Sequence, residues 1–312
     1  MVARYVSIFG LIAVGASALL ADDSVTESFA KTVPADGVET LKVKANGSEI
    51  NVYGEDRKDI RVEWKIDYRT DSIEAVSKER DKIEYGASVD GSTCEVVLDY
   101  KKSSGWKWIT GDKKPAIEME IRVPVEMELS LKTSGGQISV ENIRGVVDLK
   151  SSGGRIELEQ IVGDVNAKTA GGRIDVEEVQ GNVVVASSGG AIDIEETIGT
   201  VDARTSGGSI SIEGGNGKIF AETTGGSISI ECPDPKLERL DLSTMGGSIR
   251  IELSDTIGGH VELKTQGGSV SIDDHWSFDG EKKRSYLNGS FGDGNTIVRA
   301  YTLGGSVRLD TL

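Results

Sequence analysis

The sequence is poor in cysteine, proline, histidine and aromatic residues. Its 312 residues include 2 cysteines, 5 prolines and 2 histidines, and aromatic residues make up 5% of the chain. No Cys/His spacing typical of a zinc site occurs. Cys94 and Cys232 lie far apart in different regions, so we expect two unpaired thiols rather than a disulfide. So few large side chains favour a narrow core of Ile, Val and Leu over a conventional globular core.

The charge balance is strongly acidic, with a net charge of −16. Phosphate binding needs a basic surface, so this balance argues against nucleic acid as a partner. It is compatible with a soluble, self-repelling surface and with cationic partners.

Residues 1–21 have the pattern of a secretory signal peptide. Arg4 supplies a positive charge, residues 5–20 are mostly apolar, and small residues precede an acidic pair, so cleavage after Ala18 or Ala21 fits. The alternative is an uncleaved anchor, but this apolar run is shorter than the ~20 residues that usually span a membrane. We therefore expect an exported protein that is periplasmic, at the cell surface or secreted, with no membrane span after cleavage.

A pair of glycines recurs along the chain at a fixed step. After each pair comes the same phrase of alternating residues, for example GGRIEL and GGSISI. Each unit offers about five inward-facing apolar positions that it cannot bury alone, so the units must stack. The pairs begin at Gly135, Gly153, Gly171, Gly189, Gly207 and Gly225 with a step of 18 residues, then at Gly246 and Gly267 with a step of 21, and finally at Gly304.

This repeat predicts an all-β fold, a single-stranded β-solenoid (β-helix) with roughly 18-residue coils. A strand-rich N-terminal section, residues 22–127, precedes the solenoid of residues 128–312. Residues 274–295 leave the period and are predicted to form a C-terminal cap loop over the open end, where an exposed strand edge would invite aggregation. Glycine permits the close backbone passage that each corner of a coil needs.

Local signals organise the N-terminal section. Asn46-Gly47 lies between two alternating segments and predicts a hairpin. Residues 60–68 alternate and predict a half-buried strand. Ser72 is placed to cap a short helix within residues 71–84.

Several motifs together resemble a known family. They are the glycine-pair coils, the segment ANGSEINVYGEDR, the lead-in IRVP and the late motif NGSFGDGN. Over about residues 38–312 the chain is similar to the bacterial "putative adhesin" family with a β-solenoid, the DUF4097-type domain. The resemblance implies an exported, non-enzymatic β-rod, and the family has no catalytic residues to transfer to this chain.

Stacking turns each repeated residue into a row along the rod. An acidic residue recurs at the fifth position after each glycine pair, and repulsion along this row is expected to be compensated by a basic row before the pairs. The acidic row is Glu141, Glu159, Glu177, Glu195, Glu213, Glu231, Glu252 and Asp273. The basic row is Lys132, Lys150, Lys168, Arg204 and Lys264, with Arg155 and Arg173 in addition.

Part of the acidic row, at Glu159, Glu177, Glu195 and Glu213, is a candidate for weak Ca²⁺ binding, because Ca²⁺ prefers oxygen ligands. The alternative is a solvated face that keeps the rod soluble. We favour the second interpretation, because the Ca²⁺-binding nonapeptide of other solenoids is absent.

A row of hydroxyl residues accompanies the glycines. It could contact sugar hydroxyls or ordered water, but a structural role in hydrogen bonding along the sheet is favoured. The row is Thr133, Ser151, Thr169, Ser187, Thr205, Thr223, Thr244, Thr265 and Thr302.

One basic and aromatic loop stands out in this acidic chain. Trp106, Lys107 and Trp108 form a candidate contact surface for sugar, membrane headgroups or a partner protein. The alternative is that the two tryptophans cover an end of the solenoid.

No catalytic, cofactor-binding or metal-binding residues are assigned. Short turns leave no cleft wall for a glycosidase, and neither His260 nor His275 lies near a nucleophile elbow. The sequence therefore predicts a non-enzymatic, exported, adhesin-like binding or scaffolding protein of the bacterial cell envelope, whose partner is an unidentified envelope protein or glycan. The alternatives are a structural β-rod that self-associates through its solenoid ends and, less favoured, a carbohydrate-active β-helix enzyme.

Overall fold

Each coil of the chain forms two strands on opposite sides of a narrow apolar core. The computed structural model describes residues 19–21, 24–70, 72–100 and 115–312. In one coil the strand Ile156–Val162 follows the glycine pair, and the strand Val165–Thr169 follows a single glycine. Alternate side chains such as Ile156 and Leu158 are buried, and those between them face solvent. This alternation is the period of an extended strand.

The N-terminal section contains eight strands and one helix among the described residues. They are β1 (Leu19–Ala21), β2 (Ser24–Pro34), β3 (Thr40–Ala45), β4 (Glu49–Glu55), β5 (Asp59–Asp67), α1 (Ile73–Arg80), β6 (Ile83–Asp90), β7 (Thr93–Tyr100) and β8 (Ala116–Pro124).

The solenoid continues with strands that alternate between the two sides of the core. They are β9 (Glu128–Thr133), β10 (Ile138–Arg144), β11 (Val147–Ser151), β12 (Ile156–Val162), β13 (Val165–Thr169), β14 (Ile174–Gln180), β15 (Val183–Ser187), β16 (Ile192–Ile198), β17 (Val201–Thr205), β18 (Ile210–Glu213), β19 (Gly217–Thr223), β20 (Ile228–Cys232), β21 (Leu237–Thr244), β22 (Ile249–Leu253), β23 (Gly259–Thr265), β24 (Val270–Ile272), β25 (Phe278–Lys283), β26 (Tyr286–Phe291), β27 (Thr296–Thr302) and β28 (Val307–Thr311).

These strands form two sheets of 14 strands each within the described part of the chain. Sheet A runs in the order β1-β2-β5-β8-β4-β10-β12-β14-β16-β18-β20-β22-β28-β24. Sheet B runs in the order β25-β26-β23-β27-β21-β19-β17-β15-β13-β11-β9-β3-β7-β6. Neighbouring strands of the repeat pair in parallel with identical positions aligned, as in β12 with β14 and β13 with β15. The predicted all-β solenoid is confirmed.

The N-terminal section is continuous with the solenoid. Strand β3 pairs in parallel with β7 and β9, and β4 pairs in parallel with β8 and β10. The prediction of a hairpin at Asn46-Gly47 is therefore wrong, because β3 and β4 lie in different sheets. Each strand takes both of its hydrogen-bonding partners from its own sheet, so the Asn-Gly turn forms a corner of a coil, with Gly47 at φ +79°.

Two other local predictions in this section are confirmed. The alternating residues Ile60, Val62 and Trp64 are buried along β5. Helix α1 begins after Ser72, whose side chain accepts a hydrogen bond from the backbone N–H of Ala75, as expected for an N-cap residue.

Both cysteines are unpaired and buried, as predicted. Burial raises the pKa of the Cys94 and Cys232 thiols to about 11. A thiol with so high a pKa is almost entirely protonated at neutral pH and therefore a poor nucleophile. The two residues are small core residues of β7 and β20.

The last coil of the sequence is not the last coil of the rod. Strands β27 and β28 lie in space between two coils that come earlier in the sequence. The coil of β21 and β22 is on one side, and the coil of β23 and β24 is on the other. Glu252 therefore lies beside Asp310, and not beside Asp273 as the sequence order suggests. Along the sequence, β23 and β24 come first and lie at the end of the rod. Strands β27 and β28 come later in the sequence and occupy the position one coil before that end.

Residues 274–295 contain a hairpin, which corrects the prediction of a cap loop. Strands β25 and β26 pair antiparallel, and β26 adds to the outer edge of β23 in sheet B. Phe291 is fully buried and its ring contacts Trp276 edge-on at 5.2 Å between centroids. Across the open end, the backbone N–H of Val270 donates to the carbonyl of Arg284 at 2.8 Å. The segment covers the end of the rod by strand pairing.

A row of left-handed residues bends four successive strands of sheet A, β10, β12, β14 and β16. Asn142, Gln160, Glu178 and Glu196 have φ between 50° and 57°, and Gly214 takes the same position one coil later with φ +80°. A side chain in this conformation costs about 1–2 kcal/mol, which glycine avoids. The bend lets the following residue, such as Val179, turn back into the core.

We expect replacement of Glu178 by glycine to stabilise the protein by about 0.5–1 kcal/mol, because relief of the left-handed strain exceeds the entropy that glycine loses on folding. Thermal unfolding measures the change. Glu178→Gln is the matched control, since it removes the charge and keeps the strain. An equal gain in both variants would assign the effect to charge and contradict this account.

Candidate functional site

The outer face of sheet B carries two parallel rows of side chains. Because β27 lies between β21 and β23, its residues come before those of β23 in both rows. The first row runs Asp148, Asn166, Val184, Asp202, Phe220, Asp241, Arg299 and Glu262. The second row runs Lys150, Lys168, Ala186, Arg204, Glu222, Ser243, Tyr301 and Lys264. The predicted basic row is the second of these, and it is interrupted at Ala186 and, over a longer stretch, from Glu222 to Tyr301.

A surface depression of about 440 Å³ lies at this interruption. Phe220 on β19 and Tyr301 on β27 stand at opposite sides of it, and both are partly buried. Strand β21 runs between them and contributes Asp241 and Ser243. Because the two aromatic residues are two strands apart and offset by two residues along the strands, their backbones are separated by about 12 Å. The short side chain of Ser243 leaves the space between them open.

Charged groups of both signs surround the depression. Arg204 pairs with Asp202 at 2.9 Å, and Asp241 pairs with Arg239. That hydrogen bond to the carboxylate raises the pKa of the Arg239 guanidinium. The carboxylate of Glu222 has no ion-pair partner among the described residues.

Tyr301 is held in position by two neighbours. The ammonium of Lys264 lies 6.0 Å from the centroid of its ring, and the side-chain amide of Gln266 donates to its hydroxyl at 3.1 Å. Arg299, on the same strand, is 3.9 Å from Glu262 and about half exposed. This loose ion pair leaves guanidinium donors available to a ligand.

The inserted coil is what assembles this site. Tyr301 and Arg299 reach Ser243 and Asp241 only because β27 pairs with β21. Had the coils stacked in sequence order, Lys264 would have taken the place of Tyr301. Sequence reasoning missed the depression for this reason. One signal was present in the sequence, since Phe220 is an aromatic residue at an outward position where neighbouring coils carry polar or small ones.

The hydroxyl row is structural, as favoured from the sequence. Thr169 donates to the carbonyl of Gly154 in the preceding coil at 2.9 Å, and it accepts from the backbone N–H of Gly172. The same pair of bonds recurs in the inserted coil, where Thr302 donates to the carbonyl of Gly247 at 2.7 Å. The hydroxyls are buried and fully engaged with the backbone, so they are not free to meet a ligand.

The acidic row lies on the outer face of sheet A. Glu159, Glu177, Glu195 and Glu213 are direct neighbours along successive strands, and all are exposed. The expected compensation by the basic row is wrong, because that row lies on sheet B. Within the described ranges no ion pair involves these four glutamates, and no group of three or more His, Cys, Asp or Glu residues is arranged to hold a metal ion. Weak Ca²⁺ binding by this row stays a prediction.

The arginines of sheet A neutralise a different acidic row. Arg155 bridges Glu157 at 2.9 Å and Asp175 at 2.7 Å. Arg173 bridges Asp175 at 2.8 Å and Asp193 at 2.7 Å. The result is a continuous chain of ion pairs across three strands, beside the uncompensated glutamates.

Glu159→Gln is expected to raise the melting temperature by about 1–2 °C at neutral pH, because it removes repulsion between aligned carboxylates. The slight burial of this largely exposed carboxylate and then the charges of Glu141, Glu177 and Glu178 raise the pKa of Glu159. A raised pKa means that the penalty is complete above the folded pKa and is absent below the ordinary value, near pH 4. The gain should therefore shrink as the pH falls through this window.

The matched control is Glu157→Gln, which removes a carboxylate that Arg155 already neutralises. This variant should not gain stability at neutral pH. A pH-independent gain for Glu159→Gln would contradict the electrostatic account.

The family follows from a comparison of the whole sequence with known protein families. The family model described as Toastrack DUF4097 matches residues 38–298. The chain belongs to the DUF4097 family. The family resemblance seen in the sequence is thus confirmed. No match to this DUF4097 chain is found among curated proteins.

Solved structures also resemble this DUF4097 protein, at low identity. A "putative adhesin" from Bacteroides fragilis is 14% identical with a TM-score of 0.41, and the match covers 91% of this chain and 97% of that one. A "putative lipid binding protein" from Parabacteroides distasonis is 13% identical with a TM-score of 0.33, covering 90% and 96%. A "putative cell adhesion protein" from Clostridium sporogenes is 15% identical with a TM-score of 0.25, covering 92% and 100%.

The predicted contact surface of the DUF4097 chain, Trp106, Lys107 and Trp108, lies outside the described residues. It remains a prediction. In the parts of the chain that the structure describes, no helix is long and apolar enough to cross a membrane.

Proposed function

We propose that this DUF4097 chain is an exported, non-enzymatic binding protein of the bacterial cell envelope, and that the depression on sheet B is its ligand site. The observation that carries the proposal is the break in the outward rows, where Phe220 and Tyr301 flank an open space of about 440 Å³ that charged side chains border. Partly exposed aromatic side chains beside unsatisfied polar groups are characteristic of binding sites.

A solenoid suits this role because its core is continuous and its surface is rigid. Each coil is held by parallel strands above and below and by the buried hydroxyl row. A site built on such strands keeps its geometry without a bound ligand, which lowers the entropic cost of binding.

Export is supported by the signal-like pattern of residues 1–21. Cleavage after Ala18 would keep β1 on the edge of sheet A, whereas cleavage after Ala21 would remove it. The mass of the protein purified from the cell envelope distinguishes these two cases, and an intact N-terminus on a cytoplasmic protein would contradict export.

We propose a discrete rod in preference to a self-assembling one. At the end of the rod opposite the N-terminal section, the edge strand of sheet A is β24, which has only three residues. The edge strand of sheet B there is β25, whose residues from Asp279 to Lys283 are exposed and mostly charged. Short and charged edge strands oppose strand-to-strand association. Electron microscopy of the mature protein should show separate particles, and filaments would support the alternative.

The binding role is tested by affinity capture from envelope extract with the mature wild-type protein as bait. We expect retention of an envelope component at physiological salt. A Phe220→Ala/Tyr301→Ala bait should lose that component if the depression is the ligand site. Absence of any retained component with the wild-type bait would contradict the proposal.

A further inference from the structure

The depression on sheet B combines flat apolar surfaces with polar groups between them. Phe220 and Tyr301 line the depression from two strands, Ser243 lies on the strand between them, and Glu222 and Arg299 are also in the lining. A ligand that fits must therefore have apolar faces and a polar edge. A pyranose ring has this character, since its C–H groups point from the two faces and its hydroxyls from the rim.

The charges disfavour other ligand classes. The acidic residues Asp202, Glu222, Asp241 and Glu262 stand beside the basic residues Arg204, Lys264 and Arg299, so the depression has no excess of positive charge that would favour a phosphate group or another anion. The space is open to solvent and bordered by charges, so it does not enclose an acyl chain. Every strand at this point is already paired on both sides in sheet B, so no edge is free for an added peptide strand.

Resting on the proposed function, we infer that the depression binds an uncharged oligosaccharide. One sugar ring stacks on Phe220 and another on Tyr301, because the two residues are separated by about 12 Å, two strand spacings across the sheet and two residues along it. Hydroxyls of the ligand bond to the carboxylate of Glu222, the hydroxyl of Ser243 and the guanidinium of Arg299. A single sugar ring reaches only one of the two aromatic residues, so affinity rises with chain length.

The test measures binding of the purified mature chain to four probes by titration calorimetry: linear tetrasaccharides of glucose, galactose, mannose and N-acetylglucosamine. We expect at least one probe to bind. Phe220→Ala and Tyr301→Ala should each weaken that binding about tenfold or more, as expected for truncated aromatic anchors. Tyr301→Phe should retain most of the affinity, because the stacking surface remains.

Val184→Ala is the matched control. Val184 occupies the same outward row as Phe220, two coils away, and is 42% exposed. Its truncation should leave binding unchanged. Melting temperatures establish that the variants fold. Glu222→Gln is a second binding variant, at an exposed site, and it keeps the side-chain volume.

Two outcomes would overturn the inference: no probe binds the wild-type chain, or binding survives in the Phe220→Ala/Tyr301→Ala double variant. If no probe binds but the wild-type chain captures an envelope component that the double variant loses, the oligosaccharide inference fails and the proposed ligand site stands. If neither a probe nor an envelope component is retained, both fail.

Discussion

Gly172→Ala is expected to destabilise the protein by about 3–5 kcal/mol, which would lower the melting temperature by about 5–8 °C. A Cβ atom at Gly172 would lie 2.0 Å from the carbonyl oxygen of Gly154 and 2.7 Å from the backbone N of Arg155. Both contacts are with backbone of the preceding coil. That backbone cannot move aside, because the hydroxyl of Thr169 binds the same carbonyl and the strands on either side are hydrogen-bonded.

The other member of the same glycine pair is the control. A Cβ atom at Gly171 would meet nothing closer than 3.7 Å, an ordinary van der Waals distance. Gly171→Ala should therefore change the stability by less than about 1 kcal/mol. Urea and thermal unfolding of the two variants measure the difference. Equal losses would show that both glycines serve backbone conformation and that the close approach at Gly172 is not the cause.

Oxidation of an Asp241→Cys/Arg299→Cys variant is expected to give a nearly complete intramolecular disulfide. The two positions are direct partners on β21 and β27, on the outer face of sheet B. Neighbouring strands lie about 4.8 Å apart, within the range that a disulfide spans. The bond would close a long loop and stabilise the protein by up to about 4 kcal/mol. Non-reducing electrophoresis and thermal unfolding of the oxidised form measure both effects.

The comparison variant is Asp241→Cys/Glu262→Cys. These positions would be neighbours if the coils stacked in sequence order, but β27 lies between them and holds them about 10 Å apart. No intramolecular disulfide should form, because this separation exceeds the limit of about 7 Å. A disulfide in this variant and none in the other would contradict the inserted coil and, with it, the assembled site.

The local sequence identifies the glycine-containing corners of the rod, but tertiary contacts decide what each glycine does there. The local pattern predicted correctly that the glycine pair forms a corner, but only the spacing between coils shows that one glycine of the pair is indispensable. Likewise, the Asn46-Gly47 turn has the composition of a hairpin. It forms a corner because β3 and β4 find parallel partners elsewhere.

The sequence by itself determined the architecture: its glycine step, its alternating apolar residues and its buried hydroxyl row specify stacked two-strand coils with a thin core. These features act within one coil or between identical positions of neighbouring coils, so they can be read locally. The order of the last coils was decided only by the tertiary structure. GGSVSI at residues 267–272 and GGSVRL at residues 304–309 present the same backbone and the same apolar positions to a neighbour. Either could pair with β22 by pattern alone, and the choice made by the fold is what brings Tyr301 and Arg299 opposite Phe220.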